Sequence, residues 1–162
     1  MKDTIKKLNE ILEDNYNAVF GYEEAIDLVE SATLKRVFHK REEVRKIFIY
    51  ELNKTIKEAG EEPVKKGSFT GKAHNIYMKI ASELSDYKQQ KVIEECIEVD
   101  EELLDEYREL LNDKELTEDM VAIVSSHMKE IERTILELKE LHKKGKHKES
   151  DALTNKILNA GA

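Results

Sequence analysis

Five histidines, one cysteine and a dense supply of carboxylates are the residues in this sequence that could do chemistry. A carboxylate three residues before an imidazole lies with it on one helix face, so the two can share a metal ion. Three residues before His39, His74, His127, His142 and His147 stand Arg36, Gly71, Val124, Lys139 and Lys144. The sequence therefore holds no Glu-x-x-His pair. Two other pairings remain, His39 with Glu42 or Glu43 and His127 with Glu130, each brought together by helical spacing. Such pairs arise by chance in a chain with 38% charged residues, so no metal or other cofactor is expected, with iron or manganese as the alternative.

Other reactive side chains read as structural. Cys96 has no histidine within helical spacing and falls on an apolar stripe, where a cysteine behaves as a small hydrophobe. Tyr22 and Tyr107 read as core residues whose hydroxyls need partners. Asn15, Arg41, Arg45 and Asp100 interrupt otherwise apolar seams. A buried guanidinium is costly unless a carboxylate pairs with it, so a buried Arg45–Asp100 salt bridge, extended to Asn15, is the expected content of the core.

Those seams belong to four long helices. Ile5, Leu8, Leu12, Asn15, Val19, Tyr22, Ile26 and Val29 recur at steps of three and four and predict a helix from about Thr4 to Ser31. A second, capped by Thr33 and stopped by Gly60 with Pro63 beyond, carries Leu34, Phe38, Arg41, Arg45, Phe48, Leu52 and Ile56. A third, about Lys88 to Leu111, carries Ile93, Cys96, Asp100, Leu103, Tyr107 and Leu110. A fourth, capped by Thr117, runs to about His142 through Met120, Val124, Met128, Ile131, Ile135 and Leu138. Its apolar stripe is wide enough for two rotations.

The stretch 61–87 reads as a long crossover with its own short helix through Ala73, Ile76, Tyr77, Ile80 and Leu84, and His74 reads as packing this crossover onto the bundle. Such a connection lets the third helix start at the end where the second began. Beyond Gly145, Leu153, Ile157 and Leu158 predict a short C-terminal helix covering a bundle end or a second subunit. The chain is thus one all-α domain over residues 1–162, with a core at about 4–142 and an extension at 143–162.

Composition agrees and excludes several roles. One Pro and six Gly suit long helices. A net charge of -8 disfavours nucleic acid and anionic membranes as partners. The only basic run, His142, Lys143, Lys144, Lys146, His147 and Lys148, reads as a solvated helix end facing the dipole. The lone Cys96 rules out an internal disulfide. Met1-Lys2-Asp3-Thr4 opens no apolar signal core, so the expected compartment is the cytoplasm.

The runs Leu8-Asn9, Gly21-Tyr22, Leu34-Lys35 through Phe38, Arg41, Arg45 and Phe48, Glu51-Leu52, Gly60-Glu61-Glu62-Pro63, Gly67-Ser68, Gly71, His74, Met78 and Glu94-Glu95-Cys96 carry a resemblance over about Leu8 to Leu141. They resemble a bacterial family of four-helix-bundle domains of unknown function in the ferritin-like superfamily. The resemblance implies a ferritin-like bundle and no settled activity. Against the rubrerythrin pattern, Asn15 stands at the first-helix acid position, and Arg45 and Phe48 stand at the second-helix Glu and His positions. In the fourth helix, either Ile131 with Thr134 or Glu130 with Arg133 stands where Glu and His belong. The reading is a non-enzymatic bundle acting through protein association, as a homodimer or with another protein. The alternative is an atypical metal-binding protein of iron or manganese oxidation, storage or stress protection.

Overall fold

The computed structural model describes residues 1–66 and 88–161. Four helices account for nearly all of them: α1 (Lys2–Leu28), α2 (Ala32–Glu58), α3 (Lys88–Leu111) and α4 (Glu118–Ala160), with no strand among the described residues.

Local sequence sets the helix ends. Ser31, not the expected Thr33, caps α2: its hydroxyl accepts from the Leu34 backbone N–H at 3.3 Å. Gly60 closes the same helix at φ 81°, where its N–H donates to Lys57 O and that of Glu61 to Ile56 O. This paired closure needs the left-handed conformation that glycine adopts without strain. Thr117 caps α4 as expected, accepting from the Met120 N–H at 3.3 Å, with Glu118 and Asp119 at the positive end of the helix dipole.

Contacts between helix ends define the topology. Thr4 at the start of α1 hydrogen-bonds Asp113 after α3, while Gln89 at the start of α3 accepts from the backbone of Glu30 and Ser31 after α1. These two helices are therefore antiparallel. Likewise Arg41 of α2 meets Glu137 of α4, and Glu51 meets His127, so α2 and α4 run oppositely. It follows that α2 and α3 start at the same end, the connectivity expected of a bundle with a long crossover. That crossover leaves α2 toward α1, where the Val64 N–H donates to Asn9 Oδ1 at 2.8 Å. The crossover helix expected through Ala73 to Leu84, and His74, lie outside the described residues.

The core has two apolar ends and a polar waist. One end gathers Leu8, Leu12, Leu52, Ile56, Leu110 and Val124, and the other gathers Ala25, Val29, Phe38, Val92, Ile93 and Leu138. Each fully buried aliphatic side chain contributes about 1.5–3 kcal/mol. Between the ends lie buried Asn15, Arg41, Arg45, Asp100, His127 and Thr134.

One element differs from expectation. The C-terminal segment is helical, but α4 passes through Gly145 without a break and reaches Ala160 as one helix of 43 residues. The side-chain amide of Gln90 lies against Gly145, where it would have to move aside for a Cβ. A glycine inside a helix costs about 1 kcal/mol relative to alanine, too little to end a helix already propagating on both sides. Every residue from Ser150 to Ala160 is exposed. None of the described helices is long and apolar enough to cross a membrane.

Candidate functional site

The inward-facing polar groups of the bundle gather at its waist, and two hydrogen-bonded networks fill it. In the first, Arg45 Nη2 donates to Asp100 Oδ1 at 2.7 Å and the Tyr22 hydroxyl donates to Asp100 Oδ2 at 2.6 Å. Both carboxylate oxygens are thereby satisfied in a site that excludes water. Burial works against the Arg45 charge, but Asp100 and, after it, Tyr22 and Tyr107 together more than offset this and raise its pKa. Burial and then the same carboxylate push the Tyr22 phenol well above its ordinary value.

The second network is a directional chain. Asn15 Nδ2 donates to Ile11 O at 2.8 Å and to the Tyr107 hydroxyl at 3.1 Å. The Tyr107 hydroxyl lies 2.9 Å from His127 Nδ1, and His127 Nε2 lies 2.7 Å from Glu51 Oε2. With the proton on Nε2, every donor in this chain meets an acceptor: Asn15 to Tyr107, Tyr107 to His127, His127 to Glu51. Burial lowers the His127 pKa against the opposing pull of Glu51, which keeps the ring neutral. Phe48 ties the two networks together: its ring stacks on His127 at 3.9 Å between centroids, and the Arg45 guanidinium sits 5.5 Å from its centroid.

The expected site residues are thus buried together but wired differently. The Arg45–Asp100 pair is present, whereas Asn15 joins Tyr107 instead of that pair. Arg41 turns to α4, where its guanidinium pairs with Glu137 and approaches Glu130 at 3.7 Å. His127 and Glu130 do not pair: the imidazole is held by Tyr107 and Glu51, and Glu130 bonds Arg133 at 2.5 Å. Glu51 and Glu137 were missed because intrahelical spacing shows only partners on the same helix. Glu51 sits three residues after Phe48 and one before fully buried Leu52, at the flank of the α2 seam. The rotation of α4 places Ile131 and Thr134 inward.

These residues do not fit the di-iron centre that the fold family implies. The waist residues on α2 that face inward include a guanidinium, Arg45, and a phenyl ring, Phe48, and that on α1 is an amide, Asn15, none of which is a usual iron ligand. The buried polar atoms left without a hydrogen bond include Arg45 Nη1, Arg41 Nε and Arg41 Nη1, which are donors on cations and repel a metal ion; Asn15 Oδ1 is an acceptor. Cys96, half-buried, is held as the thiol by burial and then by Asp100, which push its pKa up and leave it a poor ligand or nucleophile.

Two groups lie outside the waist. On α2, His39, Glu42 and Glu43 have potential ligand atoms within 4.8 Å of one another, the closest such trio among the described residues. His39 Nδ1 is 3.0 Å from Glu42, and Lys46 pairs with both carboxylates. On α3, shelter from solvent, then the neighbouring Asp14, push Glu106 up to about 8, helped by Glu10 and Glu102. An acid whose folded pKa lies above its unfolded value of 4.5 contributes stability that is lost as pH rises through about 8. Glu106→Gln is therefore expected to melt above the wild type at pH 9 and alongside it at pH 4. Equal melting temperatures at pH 9 would show that the two carboxyls do not interact.

No curated protein matches the chain. Among solved structures, the fold is similar to a dodecameric thioferritin, the bacterioferritin-related protein from Bacteroides fragilis, at a TM-score of 0.73. The two chains are 17% identical, and the likeness covers 92% of this chain and 90% of that one. The fold is thus a ferritin-like bundle, and the family model described as "Domain of unknown function (DUF2383)" matches residues 3–113, so the chain belongs to that family.

Proposed function

We propose that this protein is a ferritin-like bundle that works by self-association, with its waist used as a fixed structural lock and not as a di-iron reaction centre. The observation that carries this reading is the ion pair of Arg45 with Asp100, a fixed guanidinium charge buried at the waist that disfavours a second cation there. A lock of this kind specifies helix register while adding little net stability. Association is supported by the exposed Leu153, Ile157 and Leu158 on the free end of α4 and by the dodecameric state of the similar solved structure. A homodimer is the smallest assembly this allows, and the cytoplasm suits a chain with one free thiol.

A second reading is supported by His39, Glu42 and Glu43: an atypical iron or manganese site on the outer face of α2, reached by displacing Lys46. The two readings separate in one preparation. Protein purified without chelator is expected to be metal-free and larger than 18.8 kDa in solution. Stoichiometric iron or manganese that is lost in His39→Ala would favour the second reading, and a monomer would overturn the first.

A further inference from the structure

We infer that Tyr107 is a one-electron donor site, a buried phenol that gives an electron to a radical oxidant at the protein surface while its proton leaves through His127 and Glu51. The inference goes beyond the structural lock and does not depend on self-association.

A phenol resists one-electron oxidation while it keeps its proton, because the radical cation left behind is a strong acid. The electron leaves readily when a base stands within hydrogen-bond reach of the hydroxyl. Tyr107 meets that condition: its hydroxyl lies 2.9 Å from His127 Nδ1, and His127 Nε2 lies 2.7 Å from Glu51 Oε2. Tyr107 is 0% exposed and His127 1%, whereas the Glu51 side chain is 42% exposed, so the chain begins in the core and ends in water. Burial keeps the imidazole neutral and able to accept at Nδ1. Asn15 Nδ2 donates to the phenol oxygen at 3.1 Å, a bond that survives loss of the proton, and the stacked Phe48 ring holds the imidazole in place.

The step balances with an organic peroxyl radical as oxidant. The peroxyl takes one electron from Tyr107 and one proton from water and becomes a hydroperoxide. The phenolic proton moves to His127 Nδ1, the Nε2 proton moves to Glu51, and Glu51 releases it to water. Tyr107 is left as a neutral phenoxyl radical hydrogen-bonded by the Nδ1–H. The oxidant need not enter the core, since the waist lies about one helix diameter, ~10–12 Å, from solvent, within reach of electron tunnelling.

The other described tyrosines are less suited. Tyr22 donates to Asp100 at 2.6 Å, but that carboxylate is 1% exposed and already holds Arg45 at 2.7 Å. A proton passed to it would weaken a buried ion pair and go no further. The Tyr16 hydroxyl accepts from Asn53 Nδ2 at 3.4 Å, and Tyr50 is 70% exposed, where a radical would couple with that of another molecule. The chain has no Trp to compete for oxidation.

The test uses the full chain and the azide radical as oxidant, generated by pulse radiolysis, with the phenoxyl followed by its absorbance and by electron paramagnetic resonance. The wild type is expected to form a long-lived phenoxyl radical that is lost in Tyr107→Phe and kept in Tyr50→Phe. His127→Phe removes the base and should slow radical formation about a hundredfold. Glu51→Gln still accepts from His127 Nε2 but takes no proton, so it should slow the step about tenfold with the fold intact. The wild-type rate should fall in heavy water and the His127→Phe rate should not. A wild type without a long-lived radical, or one equally long-lived in Tyr107→Phe, would overturn the site. A Tyr107 radical formed at the wild-type rate in Glu51→Gln would overturn the proton path, whether or not His127→Phe folds.

Discussion

Arg45→Met is expected to lose about 3–5 kcal/mol of stability in urea unfolding, and adding Asp100→Asn is expected to recover most of it. Arg45 and Asp100 are 2% and 1% exposed, so neither charge can turn to solvent when the other is removed. The single substitution leaves a carboxylate in a low-dielectric site with the Tyr22 hydroxyl as its remaining partner. The second substitution removes that charge and keeps an oxygen to accept from Tyr22. A bundle of this size has about 5–15 kcal/mol in total, so the single variant should lose a large share of its cooperativity range. A single variant as stable as the wild type would show that the pair carries no such penalty.

Inward-facing polar positions at the waist of a four-helix bundle cannot simply be left polar, because each buried group needs a partner. Here the α2 guanidinium supplies positive charge at the waist, and Asp100 balances it. Asn15, Tyr107 and His127 hydrogen-bond one another across three helices, and the Phe48 ring stacks on the His127 imidazole. The waist stays polar, and most of its donors and acceptors meet one another, with Arg45 Nη1 and Asn15 Oδ1 among those left over.

Much of this architecture was legible in the sequence because it depends on periodicity. The α1 seam from Ile5 through Tyr22 is buried where steps of three and four place it, and Thr117 caps α4 through chemistry local to one turn. The misread features depend on tertiary neighbours. Gly145 looked like a helix stop, but Gln90 packs against it and the helix continues. Ser31 caps α2 with Gln89 of α3 holding the adjoining backbone N–H groups, a partner 58 residues away. At the site, spacing along one helix suggested His127 with Glu130. The partners of His127 come instead from α2 and α3, and no one-dimensional pattern connects Glu51, Tyr107 and His127.

His127 should therefore make the fold sensitive to mild acid. Burial holds its folded pKa below the unfolded value of 6.5, so both states are neutral above that pH and the contribution to stability is fully present. As pH falls below about 6.5 the unfolded chain takes up a proton that the folded ring resists, and stability is lost until the folded pKa is reached. Glu42 and Glu130, whose pKa values are lowered from 4.5, lose their contributions only at lower pH, so the windows separate. His127→Phe should cost about 1–3 kcal/mol at pH 7, through the Tyr107 hydroxyl left without its acceptor, and should flatten the melting profile just below about pH 6.5. Arg45 also holds the His127 pKa down from across the Phe48 ring. Arg45→Met should accordingly move the His127 titration to higher pH, observed by NMR of the imidazole. A titration unmoved by that substitution would mean that the two networks touch through Phe48 without being electrostatically coupled.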